Sequence, residues 1–306
     1  MSHTFITSAR RLLHLGELDK AARAAEHEIE YASESGDSGD LWSARLVKAD
    51  VLSALGQTER ALGYLDSLPP PDSTDIGACV GLRIRRGSYS GALGRFVPAL
   101  HLLQEAEAMA HDARMFEALA DAYLSRAFIY FLQKDYVSSE RLYRATLSIG
   151  EKLEGWYLRG NALWGIGKNL MIQRHYEEAL PWLDQALSIF EAAGARLDTA
   201  MVWSELGVCR LGVGQDELAM ELFRKAEAVN KEAGFIHNYQ VFLANIGNVY
   251  LHRRDYLTAL AYYQRAVSLA RQINDPVSVK KWTYNINLAY ARIRAQVDHD
   301  WPHSAA

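Results

Sequence analysis

Cysteine is nearly missing from this chain of 306 residues: only Cys79 and Cys209 occur, far apart and without CxxC spacing. A disulfide-stapled scaffold and a cysteine-rich metal knuckle are excluded together. Proline is scarce at seven, and three of the seven are consecutive at 69–71, so most of the chain is open to long helices. An excess of positive charge is lacking too. With 33 Lys and Arg against 37 Asp and Glu, a net charge of -4 leaves no overall field for phosphate backbones, and nucleic acid is not an expected partner. Apolar runs are broken by charge well short of the roughly 20 residues a spanning helix needs. Met1 to Leu15 has no signal-peptide apolar centre followed by a cleavage site. The expectation is a cytoplasmic protein without membrane association.

Catalytic and cofactor signatures are absent as well. Gly165-Ile166-Gly167-Lys168-Asn169 contains a GxGK string, yet a phosphate loop needs a glycine where Ala162 stands and a Ser or Thr where Asn169 stands. No HExxH pair and no GxSxG elbow occurs among the ten histidines and the serines. Asp298, His299, Asp300 and His303 could in principle grip a metal but read as a solvated tail. The basic cluster Arg83, Arg85, Arg86 and Arg95 lacks the interleaved aromatics on which single strands stack, and reads as a solvated helix face. No cofactor, no metal and no enzymatic activity are expected.

What the chain does contain is a period. Small residues recur at Ala9, Ala49, Gly87, Ala127, Gly167, Gly207 and Gly247, with Asn287 in the same register, at steps of 40, 38 and then 40 throughout. Twelve positions after each small residue stands another: Ala21, Ala61, Ala99, Ser139, Ala179, Ala219 and Ala259. Sixteen positions after each of the later ones stands a bulky residue, Leu65, Leu103, Tyr143, Leu183, Phe223 or Tyr263. A residue without a large side chain lets two helix backbones approach, and a bulky neighbour fills the groove beside it. Between the columns sit breakers such as Leu15-Gly16-Glu17, Gly214-Gln215-Asp216 and Arg254-Asp255-Tyr256, so each period is an αα-hairpin. A second breaker, at Gly36, Gly194, Gly234 and Asn274, separates one hairpin from the next.

The stretch Asn245-Ile246-Gly247-Asn248-Val249-Tyr250, followed by Asp255-Tyr256, Ala259-Leu260, Tyr263 and Ala266, resembles a near-consensus tetratricopeptide repeat. Trp203-Ser204-Glu205-Leu206-Gly207 and Tyr176-Glu177-Glu178-Ala179-Leu180 look like parts of the same motif. The period of 40 departs from the commoner 34. This long form resembles the arrays of kinesin light chains and polarity-complex scaffolds, those that precede CHAT-type peptidase domains, and bacterial peptide-pheromone receptors. The resemblance implies an all-α, right-handed α-solenoid of seven hairpins with a C-terminal capping helix. Repeats one and two fall in 1–68, a Pro-rich joint in 69–76, repeats three to seven in 77–275, the capping helix in 276–297 and a frayed tail in 298–306. The third repeat, with Gly77, Gly81, Gly87, Gly91 and Gly94, is expected to open most easily, because glycine inside a helix costs about 1 kcal/mol relative to alanine.

The resemblance also implies a function: a non-catalytic scaffold that binds a peptide or helix of a partner protein in a concave groove lined by the first helix of each hairpin. The alternative is a regulatory module controlling an effector enzyme of the CHAT-type peptidase kind or a transcription factor; self-association through the groove is a further partner reading. Positions beside the small column are the candidate lining: Leu124, Phe128, Phe131, Trp164, Lys168, Met171 and Tyr284, with Asn245, Asn248 and Asn285. The apolar and aromatic members suit bulky anchors. The asparagines can both donate to and accept from a peptide backbone, and they resemble the asparagine ladder of long-helix repeats. No repeat pairs a lysine three before the small column with an asparagine just after it, so the clamp for chaperone tails is not expected.

Overall fold

The structure, a computed structural model, describes residues 8–232 and 236–300. Those residues form helices in strict alternation: α1 (Ser8–His14) and α2 (Leu18–Ser35), α3 (Ser38–Ala54) and α4 (Thr58–Ser67), α5 (Ile76–Ala92) and α6 (Phe96–Asp112), α7 (Phe116–Leu132) and α8 (Tyr136–Lys152). The series continues with α9 (Trp156–Ile172) and α10 (Tyr176–Ala193), α11 (Arg196–Gly212) and α12 (Asp216–Glu232), α13 (Ile236–His252) and α14 (Tyr256–Gln272), and ends on α15 (Pro276–Asp300). Seven hairpins and a closing helix are therefore present, and no strand occurs among the described residues.

Turn chemistry sets the ends. The hairpin turns carry a left-handed residue at Gly16, Gly56, Gly94, Lys134, Arg174, Gly214 and Arg254, repeating the step of the small column. Between hairpins the left-handed positions are Gly36, Arg114, Glu154, Gly194 and Asn274; Gly234 lies outside the described residues. Each such residue closes a helix and frees the next to start. Asp37, Asp75, Asp135 and Asp255 then cap α3, α5, α8 and α14 by accepting from backbone N–H groups one turn on. The step of 38 has a local cause. Helix α4 has 10 residues where α6 and α8 have 17, and Pro69-Pro70-Pro71 replaces its last turns. Asp72 accepts from the N–H and hydroxyl of Thr74 at 2.8 and 2.7 Å, which orders the entry to α5.

The columns are the core. A Cβ built on Gly87, Gly167, Gly207 or Gly247 would lie 2.6, 2.7, 2.5 or 2.8 Å from Leu103, Leu183, Phe223 or Tyr263, the residue sixteen positions on. Where the column holds Ala49 or Ala127, it is fully buried in the same way. Glycines expected to weaken the third hairpin also meet neighbours: Gly81 faces Leu46 and Gly91 faces Ile129, each too close for a methyl group. Gly165 and Gly167 of the GxGK string are helical and packed on Tyr143 and Leu183.

Contacts divide the chain into two compact units, Met1–Asp198 and Thr199–Ala306, with the boundary inside the first turn of α11. In the first unit the N-terminal hairpin reaches the fifth, where His14 packs edge-on to Trp156 at 5.1 Å and against Tyr157 at 5.6 Å, and the start of α11, where Gly16 abuts Leu197. In the second unit α15 closes the last hairpin by burying Trp282 against Leu243, Ala244, Ala259 and Ala270. Of the tail foreseen at 298–306, residues 301–306 and the side chains of 297–300, with the metal candidates Asp298, His299, Asp300 and His303, lie outside the described residues.

Candidate functional site

The residue after each small one forms a row beside the packed column. In the first unit that row is Arg10, Asp50, Ser88, Phe128 and Lys168, and every member keeps contact with water. The columns on either side are drawn inward, so this row, with the positions flanking it, forms a solvent-accessible wall of the first unit.

One end of the wall is aromatic. Phe128, 38% exposed, stacks on Phe131 at 6.3 Å, and Phe131 tilts against Tyr136 at 6.0 Å. Lys168 Nζ stands 5.4 Å from the Phe131 ring and 5.2 Å from the Trp164 ring, bridging α7 and α9 by two cation–π contacts. The shielded Trp164 Nε1–H has no acceptor among the described residues. Leu124 is half-buried and leans on the cluster of Ala127, Leu142, Tyr143 and Ile166. Met171 is only 7% exposed and packs inward.

The other end is ionic. Arg85 on α5 donates from Nε to both oxygens of Asp50 on α3, at 3.0 and 3.2 Å, and from Nη2 to Oδ2 at 3.1 Å. The Tyr89 hydroxyl donates to the same Asp50 at 2.6 Å. Asp121 on α7 lies farther off, with Arg85 Nη1 at 3.9 Å from its Oδ2. The Ser88 and Ser125 hydroxyls, 2.7 Å apart, join α5 to α7 beside this group. Burial pushes the Asp121 carboxyl up to about 6, against the pull of Arg85. Burial likewise lifts Asp198 to about 6, raises the Tyr89 and Tyr157 hydroxyls, and lowers His14. Asp50 is engaged by a bidentate arginine and a phenol, whereas Asp121 keeps acceptor capacity facing the wall.

Four of the sequence candidates belong to the second unit, where Asn248 and Asn285 bond each other and Asn245 bonds a different neighbour. Asn248 Oδ1 accepts from the Tyr263 hydroxyl at 2.7 Å and from Asn285 Nδ2 at 3.4 Å. Asn245 is buried and donates to Ser204 Oγ at 3.1 Å. Tyr284 is 69% exposed.

The ionic group was not singled out from the sequence. The arginine cluster reads there as one solvated face, but the structure sends its members in different directions. Arg83 pairs with Glu105, Arg86 with Asp66 and the Leu65 carbonyl, Arg95 with Glu59, and Arg85 alone turns to Asp50 and Asp121. Register held the missed signal: Asp50 occupies the same row as Phe128 and Lys168.

A tetratricopeptide-repeat sequence pattern matches residues 118–192 and 158–232, and a second pattern of the same description matches 243–277. No curated protein matches the chain. Among solved structures, a Rap protein complexed with competence and sporulation factor is 20% identical, with a TM-score of 0.70 over 90% of this chain and 78% of that one. NprR in complex with its cognate peptide NprX is 15% identical, with a TM-score of 0.62 over 96% and 92%. A signal transduction ATPase with numerous domains and a tetratricopeptide repeat sensor, from Pyrococcus horikoshii, is 15% identical, with a TM-score of 0.62 over 96% of this chain and 47% of that one.

Proposed function

Because the chain belongs to the tetratricopeptide-repeat family, we propose that it is a non-catalytic interaction module that receives a peptide or helical segment of a partner protein on the first-helix wall of its first unit. The observation that carries this reading is the wall's composition, with the half-exposed rings of Phe128 and Phe131 and the Lys168–Trp164 pair at one end and the Asp50–Arg85–Asp121 group at the other. An apolar anchor of the partner seats on the rings. A backbone N–H or a cationic side chain of the partner bonds Asp121, two helical turns before Phe128 on α7. Shielding by the surrounding helices strengthens that bond relative to one made in open water.

The test is affinity capture of partner peptides from the native cell, followed by calorimetric titration of a captured peptide. Phe128→Ala and Trp164→Ala should each weaken binding by about tenfold or more, the loss expected of a hot-spot ring, and Phe128→Ala should leave thermal unfolding nearly unchanged. Undiminished binding by both variants would reject this wall as the docking site.

A second reading makes the module a sensor, in which peptide occupancy controls an effector enzyme or a transcription factor. Its support is the titratable group inside the wall, since a partner's cation beside Asp121 changes both charge and packing of the helices that enclose it. Small-angle scattering separates the two readings: a peptide-dependent change of dimensions favours the sensor, and an unchanged profile favours the scaffold.

A further inference from the structure

The last helix carries a vacancy with a defined shape. By the repeat register, Lys280 and Asn287 of α15 stand where Gln240 and Gly247 stand in α13 and where Val80 and Gly87 stand in α5, with Tyr284 and Ala291 on the turns beside them. In α5 and α13 both positions are buried, and the small one packs directly on the second helix of its hairpin, Gly87 on Leu103 and Gly247 on Tyr263. In α15 Lys280, Tyr284, Asn287 and Ala291 are all exposed, as is the neighbouring Tyr290. Helix α15 also runs straight through position 294, where register would place the left-handed turn found at Arg254, so residues 296–300 do not fold back to cover the face. Beside this face a cleft of about 590 Å³ opens between α14 and α15, lined by Val267, Arg271, Thr283 and Ile286 among others.

Charge gives the seat a sign. Between Tyr256 and Asp300 the chain has six basic residues, Arg265, Arg271, Lys280, Lys281, Arg292 and Arg294, and three acids, Asp275, Asp298 and Asp300. Asp275 is already engaged at the start of α15, where it accepts from the Ser278 N–H and the Gln240 amide. The whole chain is net negative at -4, so the positive sign belongs to this end. Lys280 and Arg294 flank Tyr284, Asn287 and Ala291, and a separation of fourteen residues along a helix is about 21 Å.

We propose that α14 and α15 form a docking seat for an acidic amphipathic helix of a partner protein, which completes the eighth hairpin by covering Tyr284, Asn287 and Ala291 with its apolar stripe and pairing its acids with Lys280, Arg294 and Arg271. A helix fits because the position equivalent to Asn287 is buried in every preceding hairpin, and where it is glycine it packs directly on the second helix. A second copy of α15 would set like charge against like charge, which disfavours self-pairing. A nucleic acid would meet tyrosine and alanine along the middle of the seat in place of a continuous basic track. The seat shares no unit with the wall at Phe128 and Trp164, so either proposal can fail without the other.

The probe is a synthetic helical peptide of roughly 18 residues with a Leu and Ala stripe flanked by Glu, compared by fluorescence anisotropy with the same peptide carrying Lys for every Glu. The Glu peptide should bind at least about tenfold more tightly than the Lys peptide. The double variant K280E/R294E should reverse that preference, Asn287→Glu should weaken the Glu peptide, and Tyr284→Ser should weaken both. Equal binding of the two peptides, or a preference unmoved by the double variant, overturns the proposal. So does a single-stranded oligonucleotide that displaces the Glu peptide, or light scattering that shows a dimer dissociated by K280E/R294E.

Discussion

Asp121 concentrates the first unit's electrostatics in one carboxyl. Its proton affinity in the folded chain is raised by burial to about 6 from an ordinary 3.8, with Arg85 opposing, so the folded form keeps a proton that the unfolded form has already lost. Its contribution to stability is therefore greatest below about pH 4 and is lost as pH rises through 6. Burial lowers His14, and its contribution runs the other way, present above 6.5 and lost as the solution is acidified. A difference between two proteins that share His14 and Asp198 isolates Asp121. Asp121→Asn should gain on the parent chain between pH 4.5 and pH 7.5 (by up to about 2 kcal/mol), read as a growing separation of thermal midpoints. A separation that does not change with pH would mean that Asp121 is solvated in the folded state. At this scale the sequence was a partial guide. Phe128, Trp164 and Lys168 could be selected by register, because aromatics beside a small column are conspicuous. Asp50, Arg85 and Asp121 could not, since they come from three hairpins and nothing local marks a polar residue as pointing at another 35 or more positions away.

Elements were the most legible level. A glycine and the bulky residue sixteen positions later meet inside one hairpin, so their contact is local and recurs with the period. Gly207→Ala should place a methyl group 2.5 Å from the Phe223 ring; the overpacking, at about 1–3 kcal/mol, outweighs the helix-propensity gain of about 1 kcal/mol from removing glycine. The thermal midpoint should fall, and Phe223→Leu in the same chain should restore part of it; unchanged stability in the single variant would deny that this column is close-packed. Helix ends were legible where glycine marks them, as at Gly36, Gly194 and Gly214. They were less so where Arg114, Glu154 and Arg174 adopt the left-handed conformation, because hairpin geometry there overrides the preference of the residue itself. At one of these, Arg254→Gly should relieve strain of about 1 kcal/mol and raise the unfolding midpoint of the last hairpin.

On the scale of the molecule, stability is a sum over neighbours, since each hairpin touches mainly those beside it. Trp282 is the side chain through which α15 closes the last hairpin, and it is buried against Leu243, Ala244 and Ala270. Trp282→Ala should cost about 3–5 kcal/mol locally. Hydrogen exchange should show lost protection in α13 and α14 with little change in α5 to α8; a uniform loss across all hairpins would contradict a nearest-neighbour array. The division at Asp198 and Thr199 was not visible in the sequence, where the repeat runs through that point without a break in register.

Amino-acid order alone determined the hairpins, their number, the closing helix and the residues that press one helix on its partner. The hairpins rest on column residues spaced by twelve and sixteen positions, and a period written into the chain reproduces them at every turn of the array. The tertiary structure decided which charges share a wall, where the array divides, and which face of α15 is left uncovered. Each of these depends on residues from separate hairpins arriving at one place, and packing of the columns brings them together while leaving their identities free.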